Sequence, residues 1–204
     1  MNSVSCNNQI FTPSKIICVG RNYVEHIHEL NNEVPDNMVL FLKPNSAIAA
    51  KLSAFDQEAL HYEAELCFLV KNNRFAAVAL GLDLTKRALQ SRLKNKGLPW
   101  ERAKAFDGSA LFSEFVEITQ DDLHQLSFEL DINGTLQQAG DTGLMIYKPE
   151  EIQEEILSFM SLQDGDIVMT GTPKGVGQIH PGDIFTGKLY RNGSPLLNTS
   201  WQAV

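Results

Sequence analysis

The sequence has little cysteine and no long apolar run. Its three cysteines, Cys6, Cys18 and Cys67, are odd in number and widely spaced, which excludes a disulfide framework and a CxxC-type zinc or redox site. No stretch approaches the length of a membrane-spanning helix, and residues 1–15 show no cationic start followed by an apolar run. We therefore expect a cytoplasmic protein with reduced thiols and no membrane partner.

Positive charge is scarce as well. The chain has 17 Lys and Arg against 25 Asp and Glu, a net charge of −8, and no basic stripe with interleaved aromatic residues, which argues against a nucleic-acid partner. A small anionic substrate remains compatible with this charge, because a bound divalent cation reverses the local field. With 204 residues, 43% of them apolar, we expect one domain over residues 1–204, with residues 1–12 as an N-terminal extension.

Predicted strands outnumber predicted helices. The apolar, β-branched segments that predict strands are residues 15–20, 38–44, 60–70, 75–84, 114–118, 127–138, 165–171 and 182–196. Asn133 and Gly134 predict a hairpin turn, because both residues tolerate positive φ. The predicted class is α+β, predominantly β, with a largely antiparallel or mixed sheet.

Three segments have helical spacing. In the first, Tyr23, Ile27 and Leu30 recur at i, i+4 and i+7, and Asn22 is a candidate N-cap. The second covers residues 85–97 and ends on Gly97. In the third, residues 149–162, the glutamates crowd the first two turns and the predicted apolar face consists of Ile152, Ile156, Phe159 and Met160.

Glu63, Glu65 and Asp83 form the first candidate site. On a strand Glu63 and Glu65 share one face, and neither face of this segment is typical of a freely solvated surface. Three carboxylates without a cysteine or histidine cluster suit Mg²⁺, Mn²⁺ or Ca²⁺. The alternative is that the glutamates lie on a solvated face and Asp83 caps the following helix.

Three further features allow both a chemical and a structural interpretation. His26 and Glu29 are i, i+3 on a helix, so the carboxylate can orient the imidazole, or the pair can be an ordinary surface pair. Residues 170–177, TGTPKGVG, suit either a close approach to a ligand or a tight turn, and match no nucleotide-binding motif. Lys104 is flanked by apolar residues, although most lysines are exposed. No Ser or Cys nucleophile signature is present.

Taken together, six collinear segments resemble the fumarylacetoacetate hydrolase family, most of all its acylpyruvases and oxaloacetate decarboxylases. The segments are CVGRNYVEHIHEL (18–30), VLFLKP (39–44), HYEAEL (61–66), GLDLT (81–85), KGLPWERAKAFD (96–107) and GDIVMTGTPKGVG (165–177). The resemblance implies a β-rich sandwich or roll that forms a homodimer. One departure is that Ala88 stands where the family commonly has an acid.

The resemblance also implies residue roles. Glu63, Glu65 and Asp83 would hold Mg²⁺ or Mn²⁺, with Lys104 beside the cation to stabilise a developing oxyanion. His26 and Glu29 would lie on a lid helix within residues 22–33 and activate a water. The implied substrate-binding residues are Arg21, Arg87, Gln90, Gly171 and Thr172.

From these roles we expect an enzyme that acts on a small 2-oxo acid. The first hypothesis is hydrolysis of the carbon–carbon bond of an acylpyruvate through a metal-chelated pyruvate enolate. Oxaloacetate decarboxylation and 2-oxo-acid tautomerisation or isomerisation are alternatives at the same site. A non-catalytic metabolite-binding platform is the alternative from another class.

Overall fold

The computed structural model describes residues 1–29 and 36–204. Its α-helices are α1 (Val24–Glu29), α2 (Arg87–Asn95), α3 (Glu101–Lys104) and α4 (Pro149–Phe159), and its 3-10 helices are Asn45–Ala47, Gln120–His124 and Thr142–Leu144. Its strands are β1 (Val4–Cys6), β2 (Gln9–Phe11), β3 (Lys15–Gly20), β4 (Val39–Pro44), β5 (Phe55–Asp56), β6 (Glu58–Ala59), β7 (His61–Tyr62), β8 (Ala64–Lys71), β9 (Arg74–Asp83), β10 (Ala110–Phe112), β11 (Val116–Glu117), β12 (Leu126–Ile132), β13 (Thr135–Asp141), β14 (Ile167–Met169), β15 (Gly177–Gln178), β16 (Ile184–Arg191) and β17 (Ser194–Gln202).

A seven-stranded mixed sheet forms the centre of the fold. Its order is β10-β9-β8-β14-β3-β4, and β11 also pairs with β9. Strand β14 runs parallel to β3 and antiparallel to β8, and the remaining pairs are antiparallel. The prediction of a predominantly β fold with a mixed sheet is confirmed.

A four-stranded antiparallel sheet, in the order β13-β12-β16-β17, packs against the central one. The turn between β12 and β13 is formed by Asn133 and Gly134, with φ of 52° and 79°, as the hairpin prediction requires. The two sheets meet at Gly187 of β16, where an added Cβ would overlap the side chain of Leu80 on β9. The arrangement is therefore a sandwich.

Both faces of the central hairpin β8–β9 are covered. Leu66, Phe68 and Val70 lie in the main core between the two sheets, whereas Cys67 and Leu69 lie in a second core on the opposite face. A strand covered on both sides has no solvated face, which explains why residues 60–70 do not alternate between apolar and polar.

The predicted N-terminal extension, residues 1–12, contains the hairpin β1–β2. Val4 and Cys6 of β1 are buried in the second core, and Cys6 bridges to Phe115 in parallel. The extension therefore covers the outer face of the central sheet.

Two predictions about the helices are wrong: the N-cap role of Asn22 and the burial of Phe159. Asn22 does not cap α1: its amide donates to the carbonyls of Tyr147 and Thr170 and accepts the Tyr147 N–H, so the side chain joins three segments. In α4, Ile152 and Ile156 are buried as predicted, but Phe159 is 59% exposed because the helix ends there at the rim of a groove. Residues 30–33 of the predicted lid helix lie outside the described residues.

No helix in the described part of the chain is long and apolar enough to span a bilayer.

Asp166 joins the starts of β3 and β14. Its buried carboxylate accepts from the backbone and hydroxyl of Ser14, the backbone and ammonium of Lys15, and the Gln163 N–H. Burial raises the pKa of Asp166, but these donors outweigh it and hold the pKa below its usual range.

We expect Asp166→Asn to lower the free energy of unfolding by about 2 kcal/mol at pH 7, because a buried charged acceptor is lost. Since the folded-state pKa is lowered, the ionised group stabilises the fold above the unfolded pKa of about 3.9, and this stabilisation disappears as pH falls through the folded pKa. Urea unfolding of both proteins between pH 7 and 3 checks this. Exposed Asp121→Asn is the control, and an equal loss there would contradict the assignment.

Candidate metal centre and its pocket

Glu63, Glu65 and Asp83 meet at one end of the β8–β9 hairpin. Asp83 N–H donates to the Glu63 carbonyl at 2.8 Å, and Glu65 pairs with Gly81 across the ladder, so strand register brings the three side chains together. Their exposures are 6%, 2% and 1%, and ligand oxygens of all three lie within 4.8 Å of one another. The solvated-face and helix-cap alternatives are therefore wrong.

Two buried lysines compensate this negative charge. Lys104, at the end of α3, places Nζ 2.8 Å from Glu63 Oε2, 2.8 Å from Asp83 Oδ2 and 2.7 Å from the Thr85 hydroxyl. Lys43, in the apolar strand β4, is fully buried with Nζ 2.8 Å from Asp83 Oδ1. The exposed alternative for Lys104 is wrong, because its ammonium is part of the acidic cluster.

The three carboxylates differ in their ease of ionisation. Burial raises the pKa of Glu63, but the positive charges of Lys104 and Arg87 outweigh it and hold that pKa well below its usual range. Burial, together with the negative charges of Asp83 and Glu63, raises the pKa of Glu65 well above its usual range. The cluster is thus short of positive charge on the side of Glu65.

The donor set fits a divalent cation. It consists of carboxylate oxygens alone, the ligands that Mg²⁺ and Mn²⁺ prefer. Asp83 Oδ1 is buried and makes no hydrogen bond of good geometry within the described residues, although the Lys43 ammonium is close. Such a buried acceptor is suited to a metal bond. The enclosed free space in the pocket is about 30 Å³, which holds about two waters.

Helix α2 supplies one wall of the pocket. Arg87 donates to Gln90 Oε1 at 2.8 Å and bonds to Glu63 Oε1, so both predicted substrate-binding residues lie beside the acidic cluster. Ala88 is exposed on another face of the helix. Arg87 is therefore oriented by Gln90 and Glu63, and the acid missing at position 88 is not needed to hold it.

The loop after β14 carries Gly171 and Thr172. Gly171 N–H donates to Glu65 Oε2 at 2.8 Å, so it supports a carboxylate of the cluster. The Thr172 hydroxyl lines the pocket, donates to the Ala64 carbonyl and accepts from Gln138. Arg21, in the left-handed region with φ of 58°, lines the same pocket from the turn after β3.

Helix α1 covers the pocket through His26, which is 6% exposed. His26 Nδ1 is 3.0 Å from Glu29 Oε2, and Glu29 Oε1 accepts the Gly175 N–H at 2.9 Å. Glu25 forms a second, exposed ion pair with Lys174 at 3.0 Å. The dyad is thus present, and the loop 173–177 holds it in place.

Sequence reasoning missed several residues of the site. They are Lys43, Thr85, Lys94, Trp100 and Gln138. A signal existed for Lys43 alone. It shares one face of β4 with Val39 and Phe41, so an otherwise apolar strand face carries a charge. The others depend on contacts between segments distant in the sequence.

Comparisons with known proteins agree with this geometry. Residues 15–197 match the model of the fumarylacetoacetate (FAA) hydrolase C-terminal family. The chain is 38% identical to the mitochondrial oxaloacetate tautomerase of Schizosaccharomyces pombe, over 86% of this chain and 88% of the relative. It is 36% identical to the oxaloacetate tautomerase of Escherichia coli, over 85% and 87%. A solved fumarylpyruvate hydrolase from Pseudomonas aeruginosa, in complex with Mn²⁺ and pyruvate, superposes with a TM-score of 0.88 at 29% identity, over 100% and 95%.

Gly171 gives a test of the candidate cation site. Its φ is +97°, and an added Cβ would lie 2.9 Å from Asn22 Cβ and 3.1 Å from the Val19 carbonyl. We expect Gly171→Ala to shift the loop, remove the hydrogen bond to Glu65 and weaken Mn²⁺ binding at least about tenfold. Titration calorimetry or Mn²⁺ EPR measures the affinity.

The matched control is Gly182→Ala. Gly182 has a similar φ of +89° with nothing near its Cβ position, so the backbone strain is comparable and the contact is absent. Equal losses of Mn²⁺ affinity in the two variants would contradict the role of the Gly171 N–H.

Proposed function

Because the chain belongs to the fumarylacetoacetate hydrolase family, we propose that it is a Mg²⁺- or Mn²⁺-dependent enzyme that interconverts the keto and enol forms of oxaloacetate. The observation that carries the proposal is the buried cluster of Glu63, Glu65 and Asp83 beneath a paired His26 and Glu29. The two relatives named oxaloacetate tautomerases support the choice of reaction.

The three carboxylates would hold the cation, which would supply Lewis-acid polarisation of the substrate's 2-oxo group and neutralise its C1 carboxylate. Lys104 would donate a hydrogen bond to the C2 oxygen as negative charge develops there, because its ammonium already lies within 3 Å of two of the carboxylates. Arg87, fixed by Gln90, would orient the carboxylate end of the substrate.

His26 would move the proton. The bond from Nδ1 to Glu29 leaves Nε2 as the acceptor, so the ring can take a proton from C3 while the C2–C3 double bond forms. Glu29 would stabilise the resulting imidazolium, and its bond to Gly175 fixes the pair. His26 Nε2 would then give this proton to the C2 oxygen to form the enol, so that the ring is neutral again, and the reverse sequence returns the keto form.

Hydrolysis of an acylpyruvate is the second candidate. The same Nε2 would deprotonate a water that attacks the distal carbonyl. The carbon–carbon bond would then break to give a carboxylic acid and the enolate of pyruvate, and the imidazolium would return its proton to C3 of the enolate to give pyruvate. The structural match to a fumarylpyruvate hydrolase favours this reaction. The two candidates differ in the proton that His26 takes: it comes from C3 of the substrate in tautomerisation and from water in hydrolysis.

The test is a proton NMR time course of metal-stripped protein with oxaloacetate or acetylpyruvate, each with and without Mg²⁺. Faster keto–enol exchange of oxaloacetate that requires Mg²⁺ supports the tautomerase. Acetate and pyruvate from acetylpyruvate would establish the hydrolase, and pyruvate from oxaloacetate a decarboxylase. If neither substrate changes, the proposed enzyme activities are refuted and the non-catalytic metabolite-binding platform is the remaining hypothesis.

We expect His26→Ala to lower kcat for keto–enol exchange by about 10²- to 10⁴-fold, because the general base is lost, and to leave Mn²⁺ affinity unchanged. Exposed His28→Ala on the same helix is the matched control and should retain full activity. Glu63→Gln should instead weaken cation binding. Wild-type turnover in His26→Ala would exclude the dyad from the reaction.

We also propose a homodimer. Leu42 on the edge strand β4, Leu98 and Phe159 are 41%, 47% and 59% exposed, and they line one apolar groove. An exposed apolar groove along an edge strand favours a protein–protein interface. The family resemblance gives the same oligomeric state.

Leu98→Glu should convert the dimer to a monomer in light scattering after gel filtration, because a charge would be buried at the interface. Leu136→Glu, at a residue 54% exposed on the other sheet, should leave the mass unchanged. A monomeric wild-type protein would refute the proposal.

We propose a cytoplasmic location. The three cysteines are free and buried, as expected for a reducing compartment. Several relatives are named mitochondrial, so fractionation of the source cells is the measurement that decides.

A further inference from the structure

Lys94 lies on the same face of α2 as two residues of the site. Arg87, Gln90 and Lys94 are at i, i+3 and i+7, a spacing that keeps side chains on one side of a helix. All three line the pocket that contains the acidic cluster. Lys94, at the far end of this row, belongs to the pocket although no sequence motif identified it.

The ammonium of Lys94 is held over an aromatic ring. Its Nζ lies 4.7 Å from the centroid of the Trp100 ring, and Trp100 directly precedes α3, the helix that carries Lys104. This cation–π contact restricts a side chain that would otherwise be mobile. The position of the charge is therefore defined by two helices of the site.

The surroundings of Lys94 disfavour its charged form. Burial, and the positive charge of Arg21, lower the pKa of Lys94 to about 8. Within residues 1–29 and 36–204, no carboxylate forms an ion pair with it. A half-buried ammonium among other cations is costly, and an anion bound beside it would remove that cost.

The pocket thus has two charged ends. Arg87 is bonded to Glu63 at the end that holds the carboxylates and Lys104, where the proposed reaction takes place, and Lys94 lies seven residues, about 10 Å, further along the axis of α2. A substrate with one carboxylate uses only the first end. A substrate with a second carboxylate would use both.

We propose that Lys94 is a specificity-determining residue that binds the distal carboxylate of the substrate, so that the site selects 2-oxo dicarboxylates over 2-oxo monocarboxylates. The inference rests on the proposed function, which supplies the reaction and the orientation of the 2-oxo end. Val19, Ile27 and Phe41, which also line the pocket, would contact the carbon chain between the two charged ends.

The test compares Lys94→Met with the wild-type protein on oxaloacetate, which has a distal carboxylate, and on acetylpyruvate, which has a methyl ketone there. Keto–enol exchange of both is followed by NMR with Mg²⁺ present. We expect kcat/KM for oxaloacetate to fall at least about tenfold, mainly through KM, because a charge-assisted hydrogen bond is lost. The value for acetylpyruvate should change by less than about twofold.

Two variants sharpen the result. Lys96→Met removes the same charge two residues away, at an exposed position outside the pocket, and should leave both substrates unaffected. Lys94→Arg keeps the charge and should restore most of the preference for oxaloacetate. Equal losses for both substrates in Lys94→Met, or an unchanged ratio, would overturn the inference.

Oxalate separates this inference from the proposed function. The two carboxylate groups of oxalate would bind at the cation-binding end of the pocket, and oxalate has no group that reaches Lys94. Wild-type protein and Lys94→Met should therefore bind oxalate equally and only with Mg²⁺. Failure of the wild type to bind oxalate would refute the proposed function. Equal oxalate binding with an unchanged substrate ratio would refute the role of Lys94 alone.

Discussion

Three buried carboxylates within a few ångströms of one another are the constraint on which this structure depends. An ionised carboxylate in a protein interior is costly unless cations and donors compensate it. Lys43 reaches Asp83 from the edge strand of the central sheet, and Lys104 reaches Glu63 and Asp83 from α3. The elements around the end of the β8–β9 hairpin are therefore fixed by electrostatics as well as by apolar packing.

The loop after β14 connects this cluster to helix α1. The Gly171 N–H donates to Glu65, the Thr172 hydroxyl donates to the Ala64 carbonyl, and the Gly175 N–H donates to Glu29.

The same loop lies directly on the second sheet, because an added Cβ at Gly175 would overlap the Gln137 carbonyl. Gln138, buried on β13, bonds to Ala64 and Thr172 and completes the connection. Helix α1, the cluster and the second sheet are thus linked through one glycine-rich segment.

Local features of the chain were predictable from the sequence. Apolar runs gave the strands, Asn133 and Gly134 gave a turn, and strand alternation placed Glu63 and Glu65 on one face. The grouping of distant residues into one site came from the family resemblance, because spacing alone left the carboxylates as compatible with a solvated face. Asp83 was already a candidate ligand beside the pair from its residue type, whereas Lys104 joined the three carboxylates only through that resemblance.

What could not be predicted depends on contacts between distant segments. Asn22 has the residue type and position of a helix cap, yet two loops more than a hundred residues away compete for its amide and win. Lys43 and Gln138 are polar residues whose partners lie in other strands, so their burial has no local signature. Phe159 continues the apolar periodicity of α4, but the helix ends there and the side chain reaches a groove instead of the core.

The two kinds of element in the site have different consequences for chemistry. The carboxylates lie on or beside central strands covered on both faces, where a one-residue slip would disrupt two cores, so strand register fixes the positions of the candidate cation ligands. The residues that would meet the variable end of a substrate lie on α2 and around Trp100, where a side chain can change without moving a strand. A fold arranged in this way can keep one reacting end while the other end changes. This division accounts in physical terms for relatives named for tautomerisation and for hydrolysis on one architecture.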